Sequence, residues 1–468
     1  MRRRVSPRSA PSAAARHLSA NRAELVRELA EWLRVPSVAG APEHEIDVLR
    51  SVNWLRGTLS EIGFPTVEMW SANAVHAEWC AAPGAPTVLV YSHHDVRAAK
   101  DGTWEQTAAF EPVLREGRLY GRGASDAKGQ VLAHLWGLRT HLAVTGRAAP
   151  AVTVKVLVEG EEETGSASLS DLLDEHGVTA DLVVFSDTLL WHAEHPAVCL
   201  GLRGLVLAQI EVYGPRTDIH SGAVSGPAPN SAVALAGLLA RLHDDKGRIT
   251  LPGFYDDVTE PTEQTRAELA ALPYSDEDWL ERSHTRSIGG EEGFTVLERL
   301  WARPAAEVIS LESGTDTGPS RGAIPAVATA TISIRTAAGQ RAEKVAEQVR
   351  RWVADALDDR VDHQLTVGSP TDQEPYRTPR DHPAVAALAE AMEAGFGRPV
   401  GRMGNAGGGP AELLARKTGA PVIFFGTGLP EDNWHDGDES VSIDVLLAGA
   451  ATLAELWPRL ALLDESTK

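Results

Sequence analysis

Acidic and histidine residues repeatedly stand just past apolar, strand-like runs. The runs are TVLVY (87–91), VTVKVLV (152–158), LVVFS (182–186) and PVIFF (421–425). His93 and Asp95 follow the first, Glu162 and Glu163 the second, Asp187 the third and His435 the fourth. Asp126 adds a carboxylate from the glycine turn YGRGASDAKG. In an open α/β sheet, ligands bind beyond the carboxyl ends of the strands. Imidazoles and carboxylates gathered there predict a two-metal site, and with it metal-assisted hydrolysis.

Each residue alone says less than the set. In His93-His94-Asp95, alternate side chains of a strand point the same way. His93 can ligate through one ring nitrogen while Asp95 holds the other and fixes the tautomer. A satisfied structural histidine fits the pair equally well. Asp126 reads either as a ligand or as an ordinary cap of the helix that follows it. Glu161, Glu162 and Glu163 repel one another directly after a buried strand. A dication would relieve that repulsion, with one carboxylate ligating and its neighbour serving as general base. A solvated charge run is the competing explanation. Asp187 and His435 carry little information singly.

The elements that must position these groups alternate strand and helix up to about residue 200, the signature of a mostly parallel sheet with crossover helices. Helical spacing marks NRAELVRELAEWLRV, EIDVLRSVNWLRGTLSEIG and GQVLAHLWGLRTHLA. From about 205 the pattern changes. LVLAQIEVYG and ATATISIRT alternate apolar and polar residues, and VDHQLTVG forms a further strand. With the helices SAVALAGLLARLHDD and VAEQVRRWVADALDD, this predicts an α+β domain. Its four-stranded antiparallel sheet carries helices on one side. The first pattern returns near 378, so the expected division is a catalytic domain of 18–201 and 378–468 interrupted by an inserted domain, 202–377. The segment 263–293 reads as exposed helical excursions, and residues 1–17 as a disordered tail.

Bulk properties exclude some classes. The 468 residues are too many for one ordinary domain, and 43% hydrophobic with 23% charged content is that of a water-soluble globular protein. A net charge of −21 argues against nucleic-acid binding. Cys80 and Cys199 fall in no CxxC pattern and read as small buried hydrophobes. No run of about 18 apolar residues predicts a membrane span. The N-terminus lacks the apolar stretch of a signal peptide, so a cytoplasmic location is expected.

Taken in order, VLVYSHHDV, GRLYGRGASDAKG, VLVEGEEETGS, VVFSD, LRGLVLAQIEVYGPRTDIHSG, LWARP and GTGLPEDNWHDGDES resemble the M20 family of co-catalytic zinc peptidases, its dipeptidase (carnosinase-like) branch above all. The resemblance runs from about residue 22 almost to the end. It implies a zinc-peptidase α/β catalytic domain and a lid, or dimerisation, domain inserted into it. It further implies two Zn²⁺ per chain, with Mn²⁺ or Co²⁺ as substitutes. His93, Asp126 and Asp187 would bind one ion, and Asp126, Glu163 and His435 the other, Asp126 bridging. Glu162 would be the general base and Asp95 the residue that orients His93. His220 would reach the partner subunit's site in a homodimer, and Arg335 would grip the substrate carboxylate.

Three positions depart from the branch. Ala127 replaces a second acid in the glycine turn, Gly322 stands where a threonine is usual, and Gly407-Gly408-Gly409-Pro410 replaces Gly-Gly-Ser around the substrate-binding position Gly408. Two substrate-contacting hydroxyls are therefore missing. The expected reaction is cleavage of dipeptides or similar small peptides with a free carboxylate. Deacylation of N-acyl amino acids by the same metal site is the alternative. An inactive binding homologue would have lost a ligand or the base, and every such position carries the right residue type.

Overall fold

The structure is a computed structural model, and it describes residues 10–80, 84–100, 102–314, 322–369 and 372–463. The chain divides into two compact units. One comprises the described residues up to Gly201, Arg377–Asn405 and those from Pro410 onward; the other comprises Leu202–Tyr376 with Ala406–Gly409.

The first unit is built on a mixed nine-stranded sheet. Across the sheet the order is Thr66–Trp70, Ala74–Trp79, Thr153–Glu159, Thr87–His93, Leu182–Phe185, Val422–Phe424, Ala197–Leu202 and Tyr376–Arg377; Gly401–Asn405 also pairs with Ala197–Leu202. The four strands from Thr153–Glu159 to Val422–Phe424 pair in parallel. Thr66–Trp70 with Ala74–Trp79, Ala74–Trp79 with Thr153–Glu159, and Val422–Phe424 with Ala197–Leu202 are antiparallel pairs, so the sheet is less parallel than the alternation of elements suggested. The four parallel strands are the apolar runs of the sequence, buried on both faces as crossover helices require. Their carboxyl ends are neighbours, which brings the residues just past them together.

Helices Lys128–Thr145, Pro383–Phe396 and Ile443–Leu460 pack against one another with the sheet's core. Gly137 lets two of them approach closely: a Cβ there would lie 2.6 Å from the Cβ of Leu453. No helix among the described residues is long and apolar enough to cross a membrane.

Two expectations need correction. Residues 13–17 belong to helix Ala13–Ala20, not to a disordered tail. Ser12 caps that helix by accepting the Ala15 N–H at 3.1 Å, and Ala14 and Leu18 are buried in the main core. A few apolar residues at helical spacing outweigh the basic, alanine-rich composition. The rest of the expected tail, 1–9, lies outside the described residues. Cys199 is buried as expected, but Cys80, just past strand Ala74–Trp79, is exposed.

The second unit has a four-stranded antiparallel sheet in the order Ala305–Ser313, Val327–Thr336, Gly204–Tyr213, Asp362–Val367. Its central strands alternate buried and half-exposed residues. Val206, Ala208, Ile210 and Val212 pack with Ala328, Ala330, Ile332 and Ile334 under helices Ser231–Leu239 and Ala342–Ala356. The polar, period-two face opposite is left uncovered by those helices. Segment 263–293 contains two short helices, Glu263–Ala271 and Asp276–Ser283, largely exposed.

Candidate metal centre

His93 ends its strand, fully buried. Its Nδ1 lies 3.1 Å from the Asp95 backbone carbonyl and 3.3 Å from the Asp95 carboxylate. That fixes the ring and turns Nε2 toward Asp126 Oδ1, at 3.1 Å, and Asp187 Oδ1, at 3.7 Å. Asp126 presents its other oxygen, Oδ2, to His435 Nε2 at 2.9 Å, and His435 Nε2 is 3.2 Å from Glu163 Oε2. Donor atoms therefore form two close groups, His93–Glu162–Asp187 and Asp126–Glu163–His435, each within 4.8 Å. The single Asp126 carboxylate links them.

Asp95 also accepts the backbone N–H groups of Glu162, at 3.3 Å, and Glu163, at 3.0 Å. One buried carboxylate thus fixes the His93 ring and the turn that carries both glutamates. The turn itself is a short 3-10 helix, Glu162–Thr164, ended by Gly165 at φ 103°, a left-handed conformation suited to glycine.

Crowding shapes the charges. Burial and the Asp187 charge push the Glu162 carboxyl well above the usual range. Burial, then the Asp126 charge, raises Glu163, and burial raises Asp187 against the pull of the nearby His93 ring. Burial works against ionisation of Asp126, yet His435 and His93 hold its carboxyl below the ordinary value. Bonds to Asp126 and Glu163 lift His435 to about 10. Asp187 Oδ1 is buried with no hydrogen-bond partner among the described residues. Clustered carboxylates with imidazoles and an orphaned buried oxygen fit divalent cations, whose charge would relieve the mutual repulsion. Imidazole with carboxylate is a donor set suited to zinc, and manganese or cobalt would accept it too.

The remaining predicted positions lie in the second unit. His220 is exposed on the two-residue strand Ile219–His220, paired with Ala323–Ile324. Arg335 is half-buried on strand Val327–Thr336. Gly322 has φ +59°, a conformation a threonine adopts only with strain. A Cβ on Gly408 would lie 1.9 Å from Gln373 Oε1, so that space is already filled.

A model of peptidase family M20/M25/M40 matches residues 89–459. The chain belongs to that family. The chain is 28% identical over 441 residues to a cysteinylglycine-S-conjugate dipeptidase of Corynebacterium striatum, covering 91% of this chain and 93% of that one. It is 26% identical over 461 residues to the human beta-Ala-His dipeptidase, covering 94% and 90%. The crystal structure of human carnosine dipeptidase 1 superposes with a TM-score of 0.81 at 25% identity, over 98% of this chain and 100% of that one. This M20 chain is a hydrolytic enzyme with the mixed α/β fold and separate antiparallel sheet of those peptidases.

Several supporting residues escaped sequence reasoning. Glu439 is fully buried and accepts the backbone N–H groups of Gly123 (3.0 Å), Ser125 (3.0 Å) and Asp126 (3.1 Å), and Arg122 Nη1 at 2.8 Å. Asp432 accepts the Ser125 hydroxyl at 2.6 Å and pairs with Arg118. Trp434 Nε1 donates to the same hydroxyl at 2.7 Å. The acidic loop that carries His435 therefore clamps the glycine turn that carries Asp126. Lys128, buried, ties the turn to the Trp32 and Val35 carbonyls at 3.3 and 2.7 Å. Arg97 donates to Glu163 at 2.8 Å. The one usable signal was the turn's run of backbone N–H groups, which must find acceptors once buried.

Proposed function

We propose that this M20 enzyme is a two-metal dipeptidase cleaving the amide bond of dipeptides or similar small peptides with a free carboxylate. The observation that carries the reading is Asp126, whose two oxygens face His93 and His435 from the middle of the donor cluster. His93, Asp126 and Asp187 would hold one divalent ion, Asp126, Glu163 and His435 the other, zinc being favoured by the donor set. When bound, such ions make water acidic enough to ionise near neutral pH and stabilise the charge that develops on the carbonyl oxygen.

The chain's own groups do the rest. Asp95 keeps the His93 ring in one orientation and fixes the backbone of Glu162 and Glu163. Glu162, the cluster carboxyl left outside the two ligand sets, takes a proton from the attacking water and returns it to the leaving amine. Arg335 takes the substrate carboxylate through its planar fork. His220, exposed on its own chain, donates a hydrogen bond in the site of a second copy, so the working unit is a homodimer. The names of the relatives, dipeptidases of two specificities, support the substrate class.

Elemental analysis of the purified protein, joined to a screen of dipeptides beside N-acyl amino acids, tests the proposal. About two divalent ions per chain and turnover of dipeptides are expected. One chelator-resistant ion per chain would remove the bridging role of Asp126. Preference for N-acyl amino acids would make the chain an amidohydrolase with the same metal chemistry.

A further inference from the structure

Arg97 stands two residues past Asp95, where the chain leaves strand Thr87–His93. The backbone beside it is pinned. Val96 bridges to Val38, donating its N–H to the Ser37 carbonyl at 3.0 Å and accepting the Ala39 N–H at 3.2 Å. From this fixed point the side chain reaches the candidate metal centre. Its Nε donates to Glu163 Oε2 at 2.8 Å, the oxygen that also lies 3.2 Å from His435 Nε2. Among the described residues, no other Lys or Arg side chain pairs with a member of the two donor groups.

That contact uses one prong of the guanidinium. The two Nη groups make no hydrogen bond among the described residues, and the side chain is 51% exposed. An arginine that serves only to steady a carboxylate commonly grips it with two parallel bonds. Here four N–H donors are left over beside the cluster. Charge decides what they would receive. A divalent ion held by Asp126, Glu163 and His435 would share the charge of Glu163. The guanidinium would then keep only part of its counter-charge and gain a cation as neighbour, which favours an anionic group next to it. Glu162 and Asp187, the remaining carboxylates of the cluster, belong with His93 in the other donor group. The net charge of −21 acts against an incoming anion. At physiological ionic strength that field is screened beyond about 8 Å, whereas a charge-assisted hydrogen bond acts at contact. The local attraction wins.

We propose that Arg97 is a specificity-determining residue that receives an acidic side chain of the substrate, making the enzyme selective for dipeptides that contain aspartate or glutamate. This rests on the dipeptidase reading and narrows its substrate class. The group recognised is a second carboxylate, additional to the terminal one assigned to Arg335.

Two isosteric pairs of dipeptides test this: aspartyl-alanine beside asparaginyl-alanine, and alanyl-aspartate beside alanyl-asparagine. In wild-type protein, kcat/KM for the acid should exceed that for the amide about ten- to hundredfold in one of the pairs. Arg97→Gln should bring that ratio near one, and Arg97→Lys should keep part of it. A ratio is unmoved by loss of metal or stability that strikes both substrates alike. A role confined to steadying Glu163 would therefore lower both rates and leave the ratio standing. Ratios near one in both pairs of the wild type, or a preference that survives Arg97→Gln, would overturn the assignment. Calorimetry on metal-loaded Glu162→Gln protein, with and without Arg97→Gln, separates this proposal from the reading beneath it. Tighter binding of the acid that disappears with Arg97→Gln, while the wild type turns over none of the four compounds, would sink the dipeptidase reading and leave the role of Arg97 intact. Equal binding of acid and amide would sink that role whatever the turnover.

Discussion

Asp95 serves the candidate centre twice through one carboxylate, once at the His93 ring and once at the backbone of Glu162 and Glu163. Asp95→Asn keeps the shape but weakens both roles. It should cut metal affinity about 10- to 100-fold, the usual cost of losing a supporting group, measurable by competition with a chelator. Glu162→Gln should behave differently. Metal content should stay near that of the wild type, while kcat falls about 10²–10⁴-fold, the range for a lost general base. Wild-type turnover in that variant would move the role to another group, Glu161 first. At this scale the sequence was informative where a residue followed a strand, because strand ends converge whatever the loops do. His93, Glu162, Glu163, Asp187 and His435 follow the four central strands, while Asp126 joins them from the glycine turn. It was silent on Glu439 and Asp432. A buried acid in DGDES looks like any solvated charge run until the turn that it caps is known. Glu159 was equally hidden: it accepts the Tyr91 hydroxyl at 2.5 Å and the Ser166 hydroxyl at 2.9 Å, and burial lifts it to about 8.

Two loops cooperate at the scale of elements. The glycine turn around 121–126 has backbone N–H groups with no strand or helix to receive them, and the 429–439 loop provides the acceptors. Glu439→Ala would strand those donors and leave Arg122, buried with it at 2.8 Å, without its partner. Breaking such a buried pair costs about 3–5 kcal/mol. Urea unfolding should show a loss of that size, and metal affinity should fall with it because Asp126 loses its support. Elsewhere the tight helix crossing at Gly137 sets a separate test. Gly137→Ala places a methyl 2.6 Å from Leu453 Cβ and 3.1 Å from the Ala450 carbonyl. Overpacking of that kind costs about 1–3 kcal/mol, more than the helix propensity of alanine returns. The buried parallel strands and the long amphipathic helices were legible because burial on both faces, or on one stripe, leaves a strong pattern. Strands Thr66–Trp70, Ala74–Trp79 and Gly401–Asn405 were not. They are short or polar and two lie at a sheet margin; Thr66–Trp70 and Ala74–Trp79 pair with each other as a hairpin, which joins the sheet through Thr153–Glu159, distant in sequence.

Over the whole molecule, the same centre draws on segments as far apart as His93 and His435, so the first unit is assembled from chain on both sides of the inserted one. The second unit offers His220 on an exposed strand end. It is not among the grouped donor residues of the described chain. The homodimer proposal gives it a role in the neighbouring subunit, and subunit mixing tests this directly. Glu162→Ala and His220→Ala proteins should each be nearly inactive alone. When they are mixed under conditions that exchange subunits, each mixed dimer would hold one site with both residues intact and one with neither. Activity per mixed dimer should rise toward about half that of the wild type, as two-fold symmetry requires. Exchange can be followed independently with differently labelled subunits, so an absent rise has one meaning. It would assign His220 to its own chain or to none. Recovery would instead require that a lid residue of one copy complete the catalytic centre of the other, making the dimer the smallest unit able to turn over substrate.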